Sequence, residues 1–226
     1  MKKLNWTVDV FLGLVVAALV FFFAYVVAAP ISPAPISSAR RDTVLITMPG
    51  GEGSGVLVSK YVEGHWHTYV WTAAHVILNK GAVETDIKVT DWKQQRSAAR
   101  IIAYSEKYEL ALLEISKPDY SMNSVRFYHG APPDIGTPVF HIGNFYGSKA
   151  PDSYSGGFLS STNWLPHYYQ FNCLIYPGSS GGGFFTATGE CLGLADKRCE
   201  EGIAIALPSQ LIETWAKTHD LNYFLP

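Results

Sequence analysis

From Thr43 onward the chain is cut into short runs rich in Val, Ile, Thr, Tyr and Trp, separated by Gly, Asp, Asn or Lys. Runs of this kind, bounded by turn signals, read as strands. Six such runs fall at residues 43–48, 55–59, 67–71, 87–91, 100–104 and 110–115. A polar break at 116–123 follows, and six more runs occupy 138–142, 155–160, 168–171, 182–186, 191–195 and 202–206. The pattern predicts an all-β fold of two antiparallel barrels, over residues 42–122 and 123–208. A single helix is expected at 210–219, within a terminal segment 209–226. Ser209 would be its cap, and Leu211, Ile212 and Trp215 would seat it on a barrel.

The first 41 residues have another character. Residues 1–9 carry Lys2 and Lys3, and the twenty residues 10–29 contain no charge. A helix of that length reaches about 30 Å, the thickness of the bilayer hydrocarbon. The expectation is a retained transmembrane anchor with a short cytoplasmic N-terminus and the barrels on the non-cytoplasmic side. The alternative is a cleaved signal peptide and a secreted domain; the length of the apolar run and Pro30 immediately after Ala29 count against it. Residues 30–41, with alternating proline and small residues, predict an extended, semi-rigid linker.

Three short segments carry chemistry-bearing residues. Pro177-Gly178-Ser179-Ser180-Gly181-Gly182-Gly183 places a serine in a glycine-rich turn. Glycines let a backbone bend until several N–H groups aim at one point, which stabilises an oxyanion, and a serine attacks only when a base takes its proton. Trp71-Thr72-Ala73-Ala74-His75-Val76 ends a strand in small residues and presents a histidine at its rim. Glu109-Leu110-Ala111-Leu112-Leu113-Glu114-Ile115 heads an apolar strand with an acid. Each segment alone has a bland reading as a loop, a structural histidine or a solvated strand end. Their order of His, acid and Ser, with strands between, is that of chymotrypsin-type catalysis. An α/β-hydrolase needs its histidine after the serine, where only His219 remains.

These segments, together with Gly53-Ser54-Gly55-Val56, Ile142-Gly143-Asn144-Phe145-Tyr146-Gly147, Ser155-Gly156-Gly157 and Gly202-Ile203-Ala204-Ile205-Ala206-Leu207-Pro208, resemble the HtrA-like branch of the trypsin-like serine peptidases. The likeness covers about residues 42–209. It implies a chymotrypsin-like double β-barrel, hydrolysis of peptide bonds in a polypeptide substrate, and no cofactor. By position, Ser180 would be the nucleophile, His75 the base and Glu109 the third member of the triad. The N–H groups of Gly178 and Ser180 would form the oxyanion hole. The strand Leu194, Ala195, Asp196 and Lys197 would pair with the substrate backbone. Leu174 would lie at the base of an uncharged primary pocket, implying cleavage after small or medium apolar residues. The resemblance also implies a disulfide between Cys173 and Cys199 that leaves Cys191 free. Three departures stand out: Glu109 replaces the usual aspartate, Ser179 replaces an Asn or Asp, and 18 residues after Pro208 (226 − 208) leave no room for a PDZ domain.

Other functions find less support. The formal charge is −2 with no clustered basic face, which argues against a nucleic-acid partner. His65 and His67 share a strand face, but a turn exposing polar side chains is the expected outcome and no metal is expected. The rival to an enzyme is a catalytically weak protease fold serving as a binding module at a membrane, motivated by Glu109. Nothing in the sequence sets an oligomeric state.

Overall fold

The computed structural model describes residues 33–79, 81–116, 124–164 and 167–226. The apolar segment 10–29 lies outside the described residues, as does most of the polar break. Among the described residues no helix is long and apolar enough to cross a membrane.

The described chain opens with helix α1 (Pro33–Arg41), where extended linker was expected. Proline is tolerated in the first turn of a helix because no intrahelical N–H is needed there. The C-terminal end is held by Asp42 N–H donating to Ser38 O and Thr43 Oγ1 donating to Ala39 O. Arg40 pairs with Asp152 at 3.1 Å, fixing α1 to the second barrel.

Six strands then close the first barrel. In chain order these are β1 (Thr43–Met48), β2 (Gly51–Val62), β3 (His65–Ala73), a two-residue pair β4 (Leu78–Asn79) and β5 (Ala82–Val83) outside the barrel, β6 (Ile87–Thr90), β7 (Arg96–Ser105) and β8 (Leu110–Ile115). Around the barrel the order is β1-β2-β3-β8-β7-β6. Alternation sets the faces: Ile87 and Val89 of β6 are buried while Lys88 and Thr90 are half-buried. In β8, Leu110 to Leu113 are all buried, as a strand covered on both faces requires.

The second barrel is built from β9 (Arg126–Phe127), β10 (Pro138–Phe145), β11 (Ala150–Trp164), β12 (Tyr168–Phe171), β13 (Gly183–Thr186), β14 (Glu190–Glu200) and β15 (Ile203–Pro208). Its order is β13-β10-β11-β12-β15-β14, closed by β13–β14 pairing, with β9 parallel to β14. Phe171 and Phe184 stack at 4.3 Å in its core, beside Leu159, Tyr169 and Leu192. Two six-stranded barrels are thus present, as the resemblance implied.

Helix α2 (Ser209–Thr218) ends the fold. Ile212 and Trp215 are buried as expected, whereas Leu211 is only half-buried. Trp215 meets Trp71 of the first barrel edge-on at 5.7 Å. Ser209 does not cap: Pro208 holds the cap position, and Ser209 Oγ donates instead to Tyr128 O at 2.7 Å.

The cysteines correct a second expectation. All three are free thiols. Cys173 is turned into the core of the second barrel, where burial pushes its thiol up to about 12, while Cys199 is exposed near the far end of β14. A side chain committed to the core cannot also reach the surface for a partner.

Candidate active site

β3 ends at Ala73, and a short turn, Ala74–Val76, follows. Ala73 and Ala74 are fully buried, so the turn sits tightly on the barrel rim and lifts His75 into solvent. The turn is tied to the head of β8. Ala74 N–H donates to Glu109 O at 3.0 Å, and His75 N–H donates to Glu109 Oε1 at 2.8 Å. The imidazole Nδ1 lies 2.7 Å from that same oxygen. A carboxylate only accepts, so Nδ1 carries the proton and Nε2 is left as a base.

Glu109 reaches this position with a left-handed backbone, φ +57°. The conformation costs a non-glycine residue on the order of 1 kcal/mol or more and persists where its surroundings fix it. Here the fixing contacts are Glu109 N–H to Glu106 O and the two bonds from the Ala74–His75 backbone. From this backbone the Glu109 side chain brings Oε1 to the ring Nδ1. Burial raises the Glu109 pKa, but the hydrogen bonds and charge of His75 outweigh it, and the net shift is downward.

Ser180 sits in the loop between Tyr176 and Gly182. Ser179 N–H donates to Tyr176 O, Gly182 N–H to Ser179 O, and Ser179 Oγ accepts from Tyr176 N–H. That last bond gives Ser179 a structural role inside the loop. Gly178 has φ +91°, and a Cβ there would overlap Asn144 O and Gly147 N. Gly181 has φ +82°, and a Cβ there would overlap Ser54 O and Thr72 Oγ1. Both positions require glycine.

Sequence reasoning missed the residues that hold this loop. Ser54 N–H donates to Ser180 O at 2.7 Å, and Ser54 Oγ donates to Gly178 O at 2.7 Å. The same hydroxyl accepts from the backbone and side-chain N–H groups of Asn144 at 2.9 and 3.0 Å, which exhausts its bonding capacity. Beneath the loop lies His141, fully buried between Phe145 and Phe184, with Nδ1–H donating to Gly183 O at 3.0 Å. Among the described residues its Nε2 has no partner, and burial pushes its pKa down to about 3. Ser54 and Asn144 fall inside segments that carried the resemblance, but no chemistry marked them individually.

The Ser180 hydroxyl donates to Asp196 O at 3.0 Å, not to His75. Among the described residues, neither Gly178 N–H nor Ser180 N–H donates within the protein. His75 and Ser180 line two adjoining hollows of about 230 Å³ each. One is walled by Met48, Gly51, Glu52 and Asn79, the other by Ile175, Tyr176, Pro177, Asp196, Lys197 and Arg198. Leu174 is 42% exposed and lines neither, whereas Ile175 lines the second. Leu194 and Ala195 are also less available than expected. Their side chains are fully buried, and the Ala195 backbone is bonded to Gly181 N–H and Gly182 O.

His75 Nδ1 and carboxylate oxygens of Glu109 and Asp196 lie within 4.8 Å of one another. The 2.7 Å contact is a hydrogen bond. Two atoms bound to one ion at about 2.0–2.2 Å stand farther apart, about 3 Å or more. His67, of the pair considered as a chelate, lies 3.5 Å from Glu114.

A family model for the trypsin-like peptidase domain matches residues 53–194. Similar proteins include the serine protease Do-like HtrA of Lactococcus lactis subsp. cremoris, 27% identical over 194 residues, with 76% of this chain and 45% of that protein covered. The probable periplasmic serine endoprotease DegP-like of Hahella chejuensis is 30% identical over 147 residues, with 63% and 29% covered. The chain thus spans less than half the length of these relatives. The crystal structure of the serine endoprotease from Yersinia pestis has a TM-score of 0.70 at 24% identity, over 86% of this chain and 68% of that one, a likeness of fold. The family match begins beside Ser54, contains His75, Glu109 and Ser180, and ends two residues before Asp196: this chain belongs to the trypsin-like peptidase family.

Proposed function

We propose that the protein is a serine endopeptidase using Ser180, His75 and Glu109. The observation that carries this is the single Glu109 oxygen holding both N–H groups of His75 at the edge of a cleft that also contains Ser180. A substrate carbonyl bound beside Ser180 is attacked by Oγ while Nε2 of His75 takes the hydroxyl proton. The oxyanion is received by the N–H groups of Gly178 and Ser180. Breakdown transfers the His75 proton to the leaving amine and leaves an acyl group on Ser180. Water then releases it with the same residue as base. Pairing of the substrate with the edge beginning at Asp196 sets its register. Ile175, Tyr176 and Pro177 form the apolar part of the neighbouring hollow, whose other side carries Asp196, Lys197 and Arg198, and small or medium apolar substrate side chains would pack on that apolar part.

The segment 10–29 and Lys2-Lys3 support an anchored domain acting on polypeptides on the non-cytoplasmic side of a membrane. One observation favours a second reading, a binding module with little activity: the Ser180 hydroxyl is engaged by Asp196 O. A fluorophosphonate probe separates the two. Labelling at Ser180 that is abolished by His75→Ala supports the enzyme, and a silent protein supports the module.

A further inference from the structure

Asp196 contacts the same cleft twice. Its backbone carbonyl accepts the Ser180 hydroxyl at 3.0 Å, and its side-chain Oδ1 lies 3.9 Å from His75 Nδ1. Both contacts come from one backbone feature. In the β14–β15 pairing, Ala195 faces Ala206 and Lys197 faces Ile205, so Asp196 is the extra residue of a β-bulge. A bulge re-aims a side chain that regular alternation would send elsewhere. The clamp of Ala195 to Gly181 and Gly182 fixes the bulge against the serine loop. The Asp196 side chain is only 5% exposed, an expensive place for a carboxylate without a task. Among the described residues the partner of its Oδ2 is Lys197 Nζ, an ion pair at 3.4 Å.

We propose that Asp196 is a positioning residue that works with Glu109 on His75, adding a second negative charge on the Nδ1 side of the ring. The inference rests on the assignment of His75 and Ser180 given above. Glu109 fixes the ring by direct contact, and Asp196 stabilises the imidazolium at longer range when Ser180 gives up its proton. The charged and titratable groups facing Asp196 are His75, Glu109, Lys197 and Tyr168. Of these, Lys197 alone is a permanent cation, and it weakens the field that Asp196 projects on the ring.

The test is the rate of Ser180 labelling by a fluorophosphonate as a function of pH, in the full chain. Asp196→Asn keeps the backbone carbonyl and the shape of the side chain. Its acid limb should move down by about half a pH unit or more, because a charge at this separation is worth that much even in a water-like medium. Labelling at the optimum should fall severalfold. Lys197→Gln should move the limb in the opposite direction, and it serves if Asp196→Asn does not fold. A limb unmoved in the folded variants, with Ser180 still labelled, overturns this inference alone and leaves Asp196 a structural residue. Absence of labelling in the parent protein overturns the assignment of Ser180 and this inference with it.

Discussion

Glu109 Oε1 stands 2.7 Å from the ring Nδ1 of His75 and 2.8 Å from the same residue's backbone nitrogen. The contact joins the end of β3 to the head of β8, the two strands paired through Ala73 and Leu110. One oxygen therefore sets both the place and the tautomer of the imidazole.

Replacing that oxygen should be costly. Glu109→Gln presents the ring with a group that can also donate, so the tautomer is no longer fixed, and turnover should fall on the order of a thousandfold or more. Glu109→Asp keeps the charge but shortens the reach from a backbone already turned to φ +57°. Steady-state kinetics on a peptide substrate would show it intermediate; wild-type kcat in Glu109→Gln would mean that another group orients His75.

Ser54 carries no chemistry of its own, yet its hydroxyl links Gly178 O to Asn144. Ser54→Ala leaves buried groups without partners, at a cost of about 1–3 kcal/mol in stability. Turnover should drop further than the folded fraction does, because Gly178 belongs to the proposed oxyanion site. Urea melts and kcat on the same preparation would separate the two effects.

Acid sensitivity should come in part from His141. Its folded pKa of about 3 lies below the ordinary 6.5, so the unfolded chain takes up a proton first as pH falls. The stability it contributes is complete above about 6.5 and is lost progressively on the way down to about 3. His141→Leu removes this titration while stranding Gly183 O. The variant should be less stable than the parent at pH 8, by about 1–3 kcal/mol. The two stability curves should converge as pH falls. Parallel curves in chemical denaturation would contradict the assignment.

Cleavage specificity follows from the hollow beside Ser180, which Ile175, Tyr176 and Pro177 line on one side. Asp196, the acid in that wall, faces His75 and Lys197 instead of offering an unpaired carboxylate to a basic substrate residue. Product mapping by mass spectrometry should find small or medium apolar residues at the cleaved position; a majority of Lys or Arg would refute this.

The two barrels were legible because alternating apolar residues and turn signals are local, and each strand carries its own. That His75, Glu109 and Ser180 meet at one cleft could be expected, because chain order distinguishes one arrangement of Ser, His and acid from another; their catalytic roles are the proposal made above. Counting back from Ser180 does not say which way a loop residue points: Leu174 faces solvent while Ile175 turns in. Cys173 and Cys199 failed as a pair for the same reason. The roles of Ser54, Asn144 and Asp196 depend on a loop, a strand and a bulge meeting from distant parts of the chain. α1 was missed because proline and small residues favour extended backbone locally, whereas the contacts of Arg40 and Thr43 hold a helix.

The central claim is that His75 and Ser180 act as one unit, and a double-mutant cycle in kcat tests it most directly. Ser180→Ala and His75→Ala should each remove nearly all peptidase activity, and the double variant should be scarcely worse than either, since neither residue functions without the other. Near wild-type turnover in either single variant, or losses that multiply in the double, would contradict the account.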